Sequence, residues 1–163
     1  MRKVLPLLAL LCLAALAAPA GAMMIKVPLG DLAKPAGSVL RGRVVSTRSA
    51  WTADRATIVT EVTITVNEAW KGAAPAGKTL TLTVPGGVVG DEGIMVEHAP
   101  IFAKDEDVVL FLEPQADGGL RVSADEQGKY TVFGDLIVGN DQKPMKLADF
   151  HAEVGRYVPA EGR

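Results

Sequence analysis

The chain has 163 residues and a net charge of −2, with 17 Lys and Arg against 19 Asp and Glu, and Cys12 is its single cysteine. That balance lacks the basic excess of a general nucleic-acid binder. A lone thiol excludes an internal disulfide framework.

Arg2 and Lys3 form a short positive region, followed by a nearly unbroken apolar run over residues 4–18. Ala20-Gly21-Ala22 has the small-x-small pattern that signal peptidase reads, so 1–22 is expected to be a cleavable secretory signal, cut between Ala22 and Met23. The apolar run is shorter than the ~20 residues that span a bilayer, so no stable membrane insertion is expected after cleavage. Cys12 lies inside the run with Leu11 before it, which does not suit a lipoprotein box. The remainder, 23–163, is expected to be a single secreted or periplasmic domain without a thiol, large enough for an ordinary core. It carries 15 basic and 19 acidic side chains, which reinforces the argument against a nucleic-acid partner.

Residues 27–34 predict a short helical turn, ended by Pro35 and Gly37. Residues 38–47 (SVLRGRVVST) form the first strand, with Gly42 at a place that suits a bulge or bend. Residues 57–70 (TIVTEVTITVNEAW) alternate most cleanly: Ile58, Thr60, Val62, Ile64 and Val66 share one face. That period of two means a long strand with one buried side. After the turn at 71–77, residues 79–84 (TLTLTV) repeat the pattern with Leu80, Leu82 and Val84 inward. Residues 107–112 (DVVLFL) are continuously apolar and predict a central strand covered on both faces. Asp117-Gly118-Gly119 signals a turn, and 120–123 and 129–133 read as shorter strands. In the tail, Leu147, Phe150, Val154 and Tyr157 recur at helical spacing. Five or six strands, with an irregular stretch at 86–106, predict a mostly β fold. The expected form is a small five- to six-stranded OB-like barrel with a short N-terminal helical turn and a C-terminal helix. A β-sandwich is the competing architecture, because short strands with turn signals fit both.

VLRGRVVSTRSAW at 39–51, EAWKG at 68–72, VPGG at 84–87, HAPIFAKDEDVVLFL at 98–112 and QGKYTV at 127–132 together resemble an OB-like module of exported bacterial proteins. Members of that module are mostly uncharacterised, and some accompany secreted metalloprotease domains. The resemblance spans roughly 27–157. The first half more distantly resembles the netrin-like module of tissue inhibitors of metalloproteinases. The resemblance implies an OB-like barrel and, as partner, an extracellular protease. In those inhibitors an N-terminal cysteine engages the protease zinc. A chain starting at Met23 has none, so that mechanism does not carry over.

Chemistry-bearing residues are few. Glu97 is expected to face away from His98 in an extended segment, and His151 and Glu153 are separated on a helix. Neither histidine has the i,i+4 partner of a zinc hydrolase, so no metal or other cofactor is implied. The acids at Asp91-Glu92, at 105–107 and at Asp125-Glu126 read as solvated turns and strand starts, since the 105–107 group runs into a strand where further calcium ligands should be. Ser38, Ser46, Ser49 and Ser123 lack a nucleophile elbow, and the glycines at 86–93 lack the Lys-Ser/Thr of a phosphate loop. A non-enzymatic module is therefore expected.

The remaining concentration is Arg41, Arg43, Arg48, Trp51 and Arg55 around the end of the first strand. Two readings stay open. Arg43, Arg48, Trp51 and Arg55 form a binding site for a protein partner, with the loop 86–100 as a second element. Alternatively, Trp51 caps the open end of the barrel and the arginines pair with the acids. Trp70 reads as core. The function expected is a protein-binding or accessory module; an envelope structural or assembly component and a carbohydrate-directed binder are the alternatives.

Overall fold

A computed structural model describes residues 25–158 except 73, 117 and 141. The expected secretory signal, 1–22, and its cleavage site at Ala22 and Met23 lie outside the described residues. The chain runs α1 (Leu29–Ala33), β1 (Ser38–Trp51), β2 (Ile58–Lys71), β3 (Thr79–Pro85), β4 (Gly87–Val89), β5 (Glu92–Ile94), β6 (Asp107–Pro114), β7 (Leu120–Val122), a 3-10 turn (Asp125–Gly128), β8 (Lys129–Phe133), β9 (Leu136–Gly139), β10 (Met145–Lys146) and α2 (Leu147–Gly155). Eight strands form one antiparallel sheet in the order β10-β9-β8-β6-β1-β2-β3, with β7 also paired to β6, while β4 and β5 make a separate hairpin.

The protein is thus mostly β with two helices, but the expected closed barrel of five or six strands is not what it builds. The described sheet is open, ending at β3 on one side and β10 on the other. β7 comes close to β3 without a ladder joining them. Closure needs the summed twist and stagger of every strand to bring the two edges into register. The extra strands β8, β9 and β10 instead continue the sheet past β6.

Alternation in the strands produces two apolar layers. On the inner face, Leu40, Val44, Val62, Ile64, Leu82, Val84, Val108, Leu110 and Leu112 cluster within the curl of the sheet. On the outer face, Val39, Val109, Phe111, Tyr130 and Ile137 pack against Leu32 of α1 and Phe150 and Val154 of α2. β6 is buried on both sides because it sits between these layers. Lys71, at the end of β2, donates its ammonium to the carbonyls of Ala33 and Lys34 at 3.0 and 2.9 Å, closing the C-terminus of α1.

β1 and β2 are longer than their neighbours, and this creates the site described next. β6 follows β1 only from Ser38 to Arg43. Beyond that point β1 pairs with β2 alone, out to Trp51 opposite Ile58. The pairing shifts register at Arg41/Gly42, and a Cβ on Gly42 would stand 2.6 Å from Ile64 Cγ2 and 2.7 Å from the Thr65 carbonyl oxygen. Only glycine permits that approach. The pairing also shifts at Val39/Leu40 and between Val44 and Ser46.

Candidate functional site

The overhanging part of the β1–β2 hairpin has an inner face that β6 does not cover. The β4–β5 hairpin and the segment 95–102 fold over it and leave a cavity of about 510 Å³. Thr47, Ser49, Thr60 and Val62 form its floor. Val84 to Val88, Ile94 to Val96 and Ala99 to Phe102 form its walls. No charged side chain lines it. Around the opening, Met95 is 93% exposed, Ile101 79% and Val88 68%. An apolar hollow with large apolar side chains left in water at its rim is the pattern of a contact site.

The floor hydroxyls serve the corner between β3 and β4. Ser49 Oγ lies 2.9 Å from Thr60 Oγ1, and the Thr60 hydroxyl donates to the Gly86 carbonyl at 2.7 Å. Gly87 passes directly over them at φ 141°, where a Cβ would lie 2.4 Å from both Ser49 Oγ and Thr60 Oγ1. Gly87→Ala is therefore expected to cost about 2–4 kcal/mol through strain and overpacking. A thermal melt should show the midpoint lowered by roughly 5–10 °C. A change within error would show that the hairpin is not seated on the floor as described.

The segment 95–102 is pinned through His98. Its φ of 61° is left-handed, which breaks the alternation expected of an extended chain. Glu97 consequently comes within 3.5 Å of His98 Nε2, contrary to the expectation that the two diverge. Nδ1 lies 3.0 Å from Glu126 Oε1, and the Glu126 amide donates to the His98 carbonyl at 3.0 Å. The hydrogen bond to Glu126 raises the His98 pKa, with smaller contributions from the charges of Glu97, Glu126 and Asp125 and some opposition from desolvation. A raised folded-state value means that the stabilisation is complete below the ordinary histidine range and lost as pH rises through the folded value. Melting of wild type and His98→Gln should accordingly diverge at about pH 5.5 and converge at about pH 8.5. An equal gap at both pH values would remove the ionic part of this pin.

The acids at 105–107 are not simply solvated, as the sequence suggests. Asp107 takes a bidentate pair from Arg41, at 3.1 Å to Nε and 2.7 Å to Nη2. Arg43 lies 3.8 Å from the same carboxylate and donates to the Asp105 carbonyl at 2.7 Å. Glu106 accepts Lys129 Nζ and the Thr131 hydroxyl, each at 2.6 Å. These groups lock the start of β6 to β1 and β8.

The structure does not bring the sequence-selected residues Arg43, Arg48, Trp51 and Arg55 onto one face. Before the shift at Val44/Ser46, Arg43 shares the outer face with Val39. After it, Thr47 and Ser49 face the cavity, and Trp51, two residues on, follows them opposite the fully buried Ile58. Arg48 pairs in register with Glu61 on the outer side. Arg55 sits exposed at the hairpin tip with φ 56°. That tip is held by Asp54, whose carboxylate accepts the Thr52 hydroxyl at 2.6 Å and the Ala56 amide at 3.1 Å; the Thr52 bond is the main cause of its lowered pKa. Trp51 thus joins the cavity side of the hairpin, and the arginines do not.

No protein-family model matches this chain, and no curated protein is significantly similar to it.

The rim residues Val88, Met95 and Ile101 were not singled out by sequence reasoning. Their signal was the apolar content of 86–102 without any strand or helix period. His151 stacks on Trp70 at 4.3 Å between ring centroids, and Trp70 packs against the outer apolar layer. Among the described residues no group of three or more His, Cys, Asp or Glu side chains could hold a metal ion. No described helix is long and apolar enough to cross a membrane.

Proposed function

We propose that the protein is an exported, non-enzymatic binding or accessory module that engages a protein partner through the apolar mouth of its sheet. The observation that carries this reading is the 510 Å³ cavity with Met95, Ile101 and Val88 exposed around it. Isolated exposed apolar side chains are ordinary, but their grouping round a hollow marks an interaction surface. Flexible methionine at such a rim suits an adaptable contact.

An OB-like relationship is part of the same proposal. Its support is connectivity: β1, β2 and β3 form a meander, β6 returns beside β1, and β7 is hairpin-paired to β6 and approaches β3. The partner implied by the sequence resemblance is an extracellular protease, and the expected location is the periplasm or the medium. Amino-terminal sequencing of the protein recovered from those fractions should return Met23 as the first residue.

The binding test is capture from the same fractions by wild type, by Met95→Asp/Ile101→Asp and by Arg48→Ala/Arg55→Ala. All four positions are exposed, so the variants should fold. A protein kept by wild type and the arginine variant, and lost by the rim variant, supports the reading. Capture that survives the rim variant sinks it.

A further inference from the structure

The cavity's charge environment identifies the kind of segment it takes, an inference that rests on the protein-binding reading above. Residues 79–103, which supply β3, the β4–β5 hairpin and the segment 95–102, contain Asp91, Glu92 and Glu97 and no Lys or Arg. All three acids are exposed: Asp91 and Glu92 at the tip of the hairpin, and Glu97 beside the rim residues Met95 and Val96. Among the described residues, neither Asp91 nor Glu92 is in an ion pair, and Glu97 has only His98 as a charged neighbour, at 3.5 Å.

Most cations nearby are committed or turned away; Lys78 and Lys104, which flank this segment, are exposed and in no ion pair among the described residues. Lys129 is bound to Glu106 at 2.6 Å and lies over the Phe102 ring at 5.0 Å. Arg41 and Arg43 serve Asp107. Arg48 is on the outer face of β1, and Arg55 stands at the far tip of the β1–β2 hairpin. The opening is therefore an uncharged hollow bordered on the hairpin side by the unpaired carboxylates of Asp91 and Glu92, with Glu97 beside His98.

A charged group cannot enter the hollow without losing its water, because nothing on the lining pairs with it. Positive charge in a ligand must sit outside, at the rim. A small apolar molecule within the hollow would also leave Met95, Ile101 and Val88 in water, whereas a polypeptide crossing the mouth would cover them. We propose that the mouth binds a basic amphipathic segment of a protein partner. Its apolar side chains enter the hollow against Val88, Met95, Ile101 and Phe102, and its flanking Lys or Arg side chains face Asp91, Glu92 and Glu97.

The test is calorimetric titration of the purified protein with three synthetic amide-capped peptides at low salt. Lys-Leu-Phe-Leu-Lys is expected to bind, Glu-Leu-Phe-Leu-Glu at least about tenfold more weakly, and Lys-Ser-Gly-Ser-Lys not measurably. Three exposed carboxylates at low ionic strength set that scale. Asp91→Asn/Glu92→Gln/Glu97→Gln should abolish the preference for the lysine-flanked apolar peptide while leaving its binding detectable. Equal affinities for the two apolar peptides overturn the charge inference and leave the apolar mouth as a binding site. Equal binding of the two lysine peptides overturns both readings, because the cavity would then be unused. Failure of every peptide overturns the inference, and 1-aminonaphthalene that binds wild type but not Met95→Asp would mark a small-molecule site instead.

Discussion

Phe111→Ala is expected to lower the free energy of unfolding by about 3–5 kcal/mol, the largest loss anticipated from a single truncation in this chain. Phe111 is fully buried at the centre of β6, opposite Val39 of β1. Its ring meets Tyr130 edge-on at 5.8 Å between centroids and Phe150 of α2 at 6.4 Å. Truncation opens a cavity between the sheet and both helices, which are too short to remain seated by their own propensity. Tyr130 would be loosened as well; its hydroxyl accepts from Gln142 Nε2 at 3.0 Å, and burial is the main cause of its raised pKa. Urea titration of wild type, Phe111→Ala and Phe133→Ala gives the comparison. Phe133 is 64% exposed on β8, so its truncation should stay within about 0.5 kcal/mol. Similar losses for both would mean that the outer layer is not packed as described.

Glu106→Ala should cost about 2–4 kcal/mol and should also disturb the mouth of the sheet. The side chains of Glu106 and Lys129 are each 14% exposed. Removing the carboxylate leaves the ammonium largely out of water without its partner, and frees the Thr131 hydroxyl. Glu106 Oε2 also accepts the Ala103 amide at 3.1 Å, beside Phe102 in the cavity wall. The loss therefore reaches the binding surface, and peptide affinity should fall further than that of a surface variant such as Lys104→Ala. Glu106→Leu/Lys129→Met should recover part of the stability, because replacing both charges removes the unpaired one. Urea titration of the single and double variants decides the point. A single variant that loses less than about 1 kcal/mol would place this pair with ordinary surface ion pairs.

The fold was legible wherever burial repeats along the chain. The alternation of 57–70 and 79–84, the apolar run of 107–112 and the helical spacing of Leu147, Phe150 and Val154 correspond to β2, β3, β6 and α2. Gly42 was legible as a bend, and the register shift beside it is where the chain needs no side chain. The short elements were not. Residues 87–94 make a hairpin from three-residue strands, and 136–139 a four-residue strand, lengths at which period carries too little information. The candidate site suffered most. Trp51 and its neighbouring arginines are close in sequence, but one extra residue near Val45 resets which face each side chain occupies.

Local pattern, read from the sequence by itself, determined that this is a mostly β chain with a doubly buried central strand and an amphipathic helix after the last strand. Those properties depend on neighbours within one or two turns or pleats, which the chain order contains. Only the tertiary structure decided that the sheet stays open, that β1 and β2 overhang β6, and that a cavity forms beneath 86–102. It also decided which charges are satisfied, as in the pairing of Glu106 with Lys129, 23 residues apart. The physical reason is common to all of these. Twist, register and long-range pairing accumulate over the whole sheet, so no short stretch of sequence specifies where its edges or its unpaired charges end up.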